Sequence, residues 1–281
     1  MPFWITQRLN SATISAAILC TLVPLAAFGA PRLRVVTFNL YNRPYERAAR
    51  IENALQLLKE EKADVIALQE IAKGWILAGD PFEILKEGLQ MFSVRYWHEE
   101  NLGIFKTGLG LLSRYPIDSS EYHDFKDHQC WDTKGYLRAE IATPWGPLQV
   151  YNLHMASTQN ERIKTSEFNE LAAFVETTSK KQPVLILGDF NQEAQTPVFQ
   201  NFVTKLKTHS LYELFKPTNT WTPKYEDECD GPKGELIDHI LAIPGERAKI
   251  QFLDGKVIKS DRNPHPSDHC AVRTDLTFVS Q

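Results

Sequence analysis

The sequence predicts an α/β protein built as one large domain. Three observations predict it. A chain of 281 residues can bury a sizeable core. Its first globular stretch reads strand, amphipathic helix, strand, the start of a βαβ unit. Short apolar runs and helix-patterned stretches then follow one another to the C-terminus, with no internal repeat, low-complexity linker or clear boundary.

The elements follow in order. "RLRVVTFNL" (32–40) is β-branched and apolar, so it reads as a first strand. "ERAARIENALQLLKEEKA" (46–63) sets Ile51, Ala54, Leu55 and Leu58 on one helical stripe. "DVIALQE" (64–70) is a second strand, ending in Glu70. From Trp75 to Phe105 the chain is rich in aromatics, with a helix expected near 81–92. "TGLGLLSRYPI" (107–117) reads as strand and turn. "GYLRAEIAT" and "LQVYNLHM" (135–143, 148–155) form a hairpin around "PWGP". "ERIKTSEFNELAAFVETTS" (161–179) is an amphipathic helix, and "PVLILGDF" (183–190) a strand buried on both faces. A helix at 197–206 and strands at 235–243, 249–259 and 270–278 complete the domain, which spans 31–281.

Residues 1–30 differ from the rest. Arg8 is their sole charge, an apolar stretch occupies 14–30, and Ala27 and Gly29 supply the small side chains of a cleavage site. That is the pattern of a secretory signal peptide, so the expected location is secreted or periplasmic. Pro24 and the shortness of the run disfavour a membrane anchor, since a span needs ~20 apolar residues. Cleavage shifts the formal charge from −4 to −5. A mildly acidic chain without long basic runs is no obvious polyanion binder, so nucleic acid is the less favoured partner. A bound divalent cation could still supply the positive charge a phosphate requires. Of the cysteines, Cys130 and Cys229 lie in polar, loop-like stretches and could pair, whereas Cys270 opens a strand and is expected as a buried thiol.

The polar residues at strand ends carry the functional argument. In "VLILGDFNQE" (184–193) an apolar run stops, and Asp189 and Asn191, two apart, project to one side. Gly188 permits close approach of backbone or ligand. The arrangement recurs with Asn39 in "TFNL", Glu70 in "ALQE", His154 in "YNLH", Asp238 in "LIDHI", and Asp268 and His269 in "PSDH". Taken singly, such an Asn caps a turn, such a His is structural and such a carboxylate is solvated. Taken together they exceed what an apolar core tolerates unless they are paired or bind metal. Two His, four carboxylates and two Asn suit a hard cation with oxygen ligands. The chain has no GxSxG elbow, HExxH zinc motif or GxxxxGK phosphate loop. Hydrolysis of a phosphate ester by activated water fits this set.

"TFNL", "DVIALQE", "GLGLLSRYPI", "YNLH", "LILGDFN", "LIDHI" and "PSDH" occur in the order found in the endonuclease/exonuclease/phosphatase superfamily, which the mature chain resembles over nearly its whole length. The resemblance implies a DNase I-like, four-layer α/β/β/α sandwich, with two central mixed sheets flanked by helices and the site at one end. It implies Mg²⁺, with Mn²⁺ or Ca²⁺ as alternatives, held chiefly by Glu70 with help from Asn39 and Asp268. Asp189 would position or deprotonate the attacking water, and Asn191 and His154 would hold phosphate oxygens. His269, oriented by Asp238, would bind a phosphoryl oxygen or act as acid/base. The second acidic residue that some nucleases carry beside the equivalent of His154 is not evident.

The superfamily cleaves DNA, abasic sites, inositol phosphates and sphingomyelin. "DTKGYLRAEI", "LHMASTQNERIKTSEFNELAAFV" and "NTWTPKYEDE…ELIDHIL" resemble its neutral sphingomyelinase branch. That likeness implies a phospholipid or other phosphodiester substrate, with Arg162 at the substrate. Lys134 reads equally as a phosphate contact or a solvated turn residue. Trp75, Phe82, Phe92, Tyr96, Trp97 and Phe105, with Trp131 and Trp221 in loops, suit either the core or peripheral contact with a membrane. The expected state is a monomer. A secreted DNase I-like endonuclease and an inositol phosphate phosphatase are the alternatives.

Overall fold

Two six-stranded sheets lie face to face, each carrying a pair of helices on its outer side. A computed structural model describes residues 32–74, 79–100, 105–127, 134–179, 181–215, 219–220, 234–246 and 248–280. The expected signal peptide, Trp75, Trp131, Trp221, Cys130 and Cys229 lie outside them.

The first sheet contains β1 (Leu33–Asn39), β2 (Val65–Gly74), β3 (Phe92–Glu100), β4 (Phe105–Ser113), β11 (Ala248–Ile258) and β12 (Ala271–Ser280), in the order β11-β12-β1-β2-β4-β3. The second contains β5 (Ile117–Asp124), β6 (Gly135–Thr143), β7 (Gly146–His154), β8 (Val184–Asp189), β9 (His209–Ser210) and β10 (Asp238–Ile243), in the order β5-β6-β7-β8-β10-β9. Each sheet has one parallel pair at its centre. β1 and β2 are joined through helix α1 (Arg47–Glu61), and β7 and β8 through helix α3 (Glu161–Thr178). A parallel pair needs such a crossover, which is why the helical patterns at 46–63 and 161–179 stand between apolar runs. Helices α2 (Pro81–Leu89), α4 (Pro197–Leu206) and α5 (Leu211–Phe215) complete the described elements.

Strand alternation distributes the core over three layers. Leu33 and Val35 of β1 meet Leu185 and Leu187 of β8 between the sheets, while Val36 and Phe38 turn outward beneath α1 and α2. On the other side Val184 and Ile186 face Phe168, Leu171 and Val175 of α3 and Phe199 and Phe202 of α4. Both faces of β1 and β8 are therefore covered, so these strands read as continuous apolar runs rather than alternating ones. Fully burying each such side chain contributes about 1.5–3 kcal/mol. Ala54, Leu55 and Leu58 on the α1 stripe join the core under the first sheet. Asp80 caps α2 by accepting from the N–H groups of Phe82 and Glu83, with Pro81 in the first turn.

Two expectations need correction, and one strand was not foreseen. The helix near 81–92 stops at Leu89, where Gln90 turns left-handed (φ 55°), and the chain continues as strand β3. Phe92 and Tyr96 are 53% and 37% exposed on that edge strand, while Phe82 is core. β5 also escaped the periodicity, because an edge strand with the sequence "IDSSEYHD" has little apolar face to display. Cys270 is buried but is not a free thiol: it is disulfide-bonded, to a cysteine outside the described residues. The strand pattern revealed its burial; its bonding is a tertiary matter.

Candidate active site

Register brings the polar strand ends to one place. His154 is the parallel partner of Asp189, and Asp238 is the antiparallel partner of the same Asp189, so three polar residues stand abreast on β7, β8 and β10. Gly188 makes the β7–β8 pairing possible. Its φ is +143°, and a Cβ there would lie 2.1 Å from the Leu153 carbonyl oxygen. In the first sheet Asn39 pairs with Gln69, and Glu70 follows where the β2–β4 register slips. Glu70 is left-handed there (φ 52°), as are Tyr41 and Asn191 nearby in the site. Such backbone costs on the order of 1–3 kcal/mol and concentrates at functional positions.

Asn39 ties the sheets together. Its Nδ2 donates to Asp189 Oδ2 at 3.0 Å and to Glu70 Oε1 at 3.3 Å, and its Oδ1 accepts from the Tyr41 N–H. Asp189 is the hub of the other contacts. His154 Nε2 lies 3.3 Å and His269 Nε2 3.8 Å from its Oδ2, and the Asn191 N–H donates to Oδ1 at 2.9 Å. Burial pushes the Asp189 carboxyl up, but the two imidazoles and the amide outweigh it and hold the group well below the usual carboxylate range. His269 Nδ1 donates to Asp238 Oδ2 at 2.8 Å. Burial works against the imidazolium, yet Asp238, Asp189 and Asp268 push its pKa up to about 10. Asp238 itself is raised, chiefly by burial, against the lowering pull of His269 and a hydrogen bond to Thr220. Glu70 is lowered: burial opposes ionisation, but His154, Lys134, the Asn42 N–H and His269 favour it more. His239, next to Asp238, faces away; burial lowers it to about 4, and its Nε2 bonds to the Gln192 carbonyl.

These groups line a cavity of about 650 Å³ whose walls include Glu70, His154, Asp189, Asn191, Asp268 and His269. Asn39 and Asp238 support it from beneath through the bonds above. Asn191 Nδ2 is held by the Met155 carbonyl at 2.8 Å. Of the sequence-predicted substrate residues, Lys134 is in the cavity, its Nζ 3.2 and 3.4 Å from the two ring nitrogens of His154. Arg162 is not among the lining residues; it is exposed and pairs with Asp127 at 3.1 Å. Lys164, which the sequence reading missed, lines the cavity instead, with its ammonium 3.0 Å from Glu161. Two residues along a helix turn about 200°, so Arg162 and Lys164 cannot share a face. The overlooked signal is that Lys164 precedes Phe168 and Leu171 at i+4 and i+7, a lysine on the buried stripe.

The donor chemistry fits a hard divalent cation. Glu70 offers carboxylate oxygens beside the Asn39 amide, each with one described hydrogen bond and lone pairs left toward the cavity that Asp268 also lines. Among the described residues, the candidate ligand atoms of Asp189, Asp238 and His269 lie within 4.8 Å of one another.

The strand ends lie within a stretch that matches a known family. The sequence profile of the Endonuclease/Exonuclease/phosphatase family matches residues 36–269. This chain belongs to that family. It is 26% identical over 273 residues to a Drosophila melanogaster protein described as "Putative neutral sphingomyelinase", covering 87% of this chain and 60% of the relative. It is 25% identical over 178 residues to a Staphylococcus aureus protein named "Phospholipase C", covering 57% of this chain and 52% of the relative. The chain thus spans between half and two thirds of the length of these relatives. An endonuclease/exonuclease/phosphatase structure from Bacteroides vulgatus superposes with a TM-score of 0.72 at 16% identity, over 89% of this chain and all of the other. That likeness concerns the fold: the α/β/β/α sandwich expected of an endonuclease/exonuclease/phosphatase family member is the architecture found.

Proposed function

We propose that this chain is an exported, Mg²⁺-dependent phosphodiesterase that hydrolyses a phospholipid headgroup, sphingomyelin first. The observation that carries the reading is the convergence of His154, His269 and Asn39 on the single buried carboxylate of Asp189, in the wall of a cavity that Glu70 and Asp268 also line. When bound by Glu70, Asn39 and Asp268, a divalent cation supplies positive charge against the phosphate oxygens and activates water.

The chain's own residues do the rest. Asp189, kept ionised by its neighbours, accepts a hydrogen bond from the attacking water. His154 and the Asn191 amide hold phosphate oxygens, and Lys134, against the His154 ring, adds charge there. His269 is cationic at neutral pH because Asp238 faces it, and it donates a proton to the leaving oxygen or a hydrogen bond to a phosphoryl oxygen. The exposed Tyr45, in the loop that brings Tyr41 to Arg43 to the cavity, supports peripheral membrane contact.

Sphingomyelin vesicles incubated with the protein and Mg²⁺ should release phosphocholine, and EDTA or His269→Ala should abolish the release. Plasmid DNA and inositol phosphates are run alongside. Intact vesicles beside nicked plasmid or released phosphate would overturn the lipid assignment in favour of a nuclease or a phosphatase.

A further inference from the structure

We propose that Arg50, on the outer helix α1, is a positioning residue that ties together two segments at the carboxylate site, the loop whose N–H groups bond Asn39 and Glu70 and the segment that carries Asp268; the inference rests on the metal-dependent reading above. Arg50 is fully buried. Its guanidinium donates to backbone carbonyls of two separate segments. In the loop after β1 these are Tyr45 at 2.9 Å, Leu40 at 3.2 Å, Tyr41 at 3.0 Å and Arg43; in the segment before β12 it is Pro266, at 3.4 Å. The Tyr41 ring lies against it, with its centroid 5.0 Å from the guanidinium carbon.

Each of these segments delivers groups to the site. In the first, Tyr41 is left-handed, its N–H bonds Asn39 Oδ1, and the next N–H, of Asn42, bonds Glu70 Oε2 at 2.9 Å. The second carries Asp268 and His269. Asn53, one turn along α1, adds a firmer tie to that second segment through Pro264, at 2.8 Å. Arg50 and Asn53 therefore tie the loop whose N–H groups bond Asn39 and Glu70 to the segment that carries Asp268. A planar fork of five donors can reach this spread of carbonyls; a lysine ammonium, with three donors on one atom, cannot. Arg47, also buried on α1, provides a contrast, since its described bond reaches only Ala72 on β2.

The test measures Mn²⁺ binding to metal-free wild type, Arg50→Lys and Asn53→Ala by the electron paramagnetic resonance of free Mn²⁺. Melting curves and the Mg²⁺ dependence of vesicle hydrolysis are recorded in parallel. Groups behind metal ligands change affinity by roughly 10–100-fold when lost, so Arg50→Lys should weaken Mn²⁺ by at least about ten-fold, with half-saturating Mg²⁺ rising in step. Asn53→Ala, which frees one segment alone, should show a smaller rise while unfolding cooperatively. Folded variants that bind Mn²⁺ like wild type would overturn the proposal. If Arg50→Lys does not fold, an unchanged affinity in Asn53→Ala overturns it. A wild type that binds no Mn²⁺ would overturn the metal reading itself, and this proposal with it.

Discussion

His154 and Asp189 are register partners on the parallel strands β7 and β8, and their side chains meet with Nε2 3.3 Å from Oδ2. The contact is fixed by backbone pairing rather than by a flexible loop, so it should survive without substrate. Asp189→Asn removes the charge around which His154, His269 and Asn39 are arranged. We expect kcat to fall by roughly 10²–10⁴-fold with the fold intact, measured by steady-state hydrolysis and circular dichroism. Activity within two-fold of wild type would remove Asp189 from the chemistry.

His269 and Asp238 set a pH dependence in the metal-free protein. The folded pKa of His269, about 10, lies above its ordinary 6.5. Its stabilising contribution is therefore complete below pH 6.5 and is lost as pH rises through about 10. Asp189 behaves oppositely: its pKa is lowered, so its contribution is present above the ordinary 3.8 and is lost as pH falls toward the folded value. Asp238→Asn should return His269 toward the ordinary range, seen as an earlier alkaline titration of its ring protons by NMR. An unchanged midpoint would refute the pairing.

Arg162 and Lys164 should part company on substitution. Arg162 pairs in solvent with Asp127, an interaction of about 0–1 kcal/mol, so Arg162→Ala should leave melting temperature and KM near wild type. Lys164→Ala empties a cation from the cavity wall and should raise KM by about ten-fold or more, in line with a charged hydrogen bond worth roughly 1.5–3 kcal/mol. The reverse ranking would place the substrate against Arg162.

Asn152 and Gln69 bridge the two sheets and should matter for stability rather than catalysis. Gln69 Nε2 donates to Asn152 Oδ1 at 2.7 Å, and Asn152 Nδ2 donates to the carbonyls of Leu68 and Gly110, both at 2.9 Å. Asn152→Ala strands these buried partners, at about 1–3 kcal/mol for each group left unsatisfied. Urea denaturation should show a loss of about that size or a small multiple of it.

Gly188→Ala should fail more severely than Asn152→Ala, because its new methyl would collide with the Leu153 carbonyl in a backbone conformation that L residues avoid. Loss of cooperative unfolding on thermal melting is the expected result. A stable, folded variant would mean that β7 and β8 can separate without cost.

The strands, the major helices and the polar residues that end the strands were legible in the sequence, because alternation and helical spacing are local properties. Asn39, Glu70, His154, Asp189, Asp238 and His269 stand out as polar interruptions of apolar runs without any knowledge of their neighbours. Which of them meet was decided only in three dimensions. Strand pairing sets His154 and Asp238 on either side of Asp189, and a register slip turns Glu70 toward Asn39. The edge strands β3 and β5, the choice of Lys164 over Arg162, the bonded state of Cys270 and the reach of Arg50 to two distant loops depend on contacts between segments far apart along the chain. Local periodicity carries no record of such contacts.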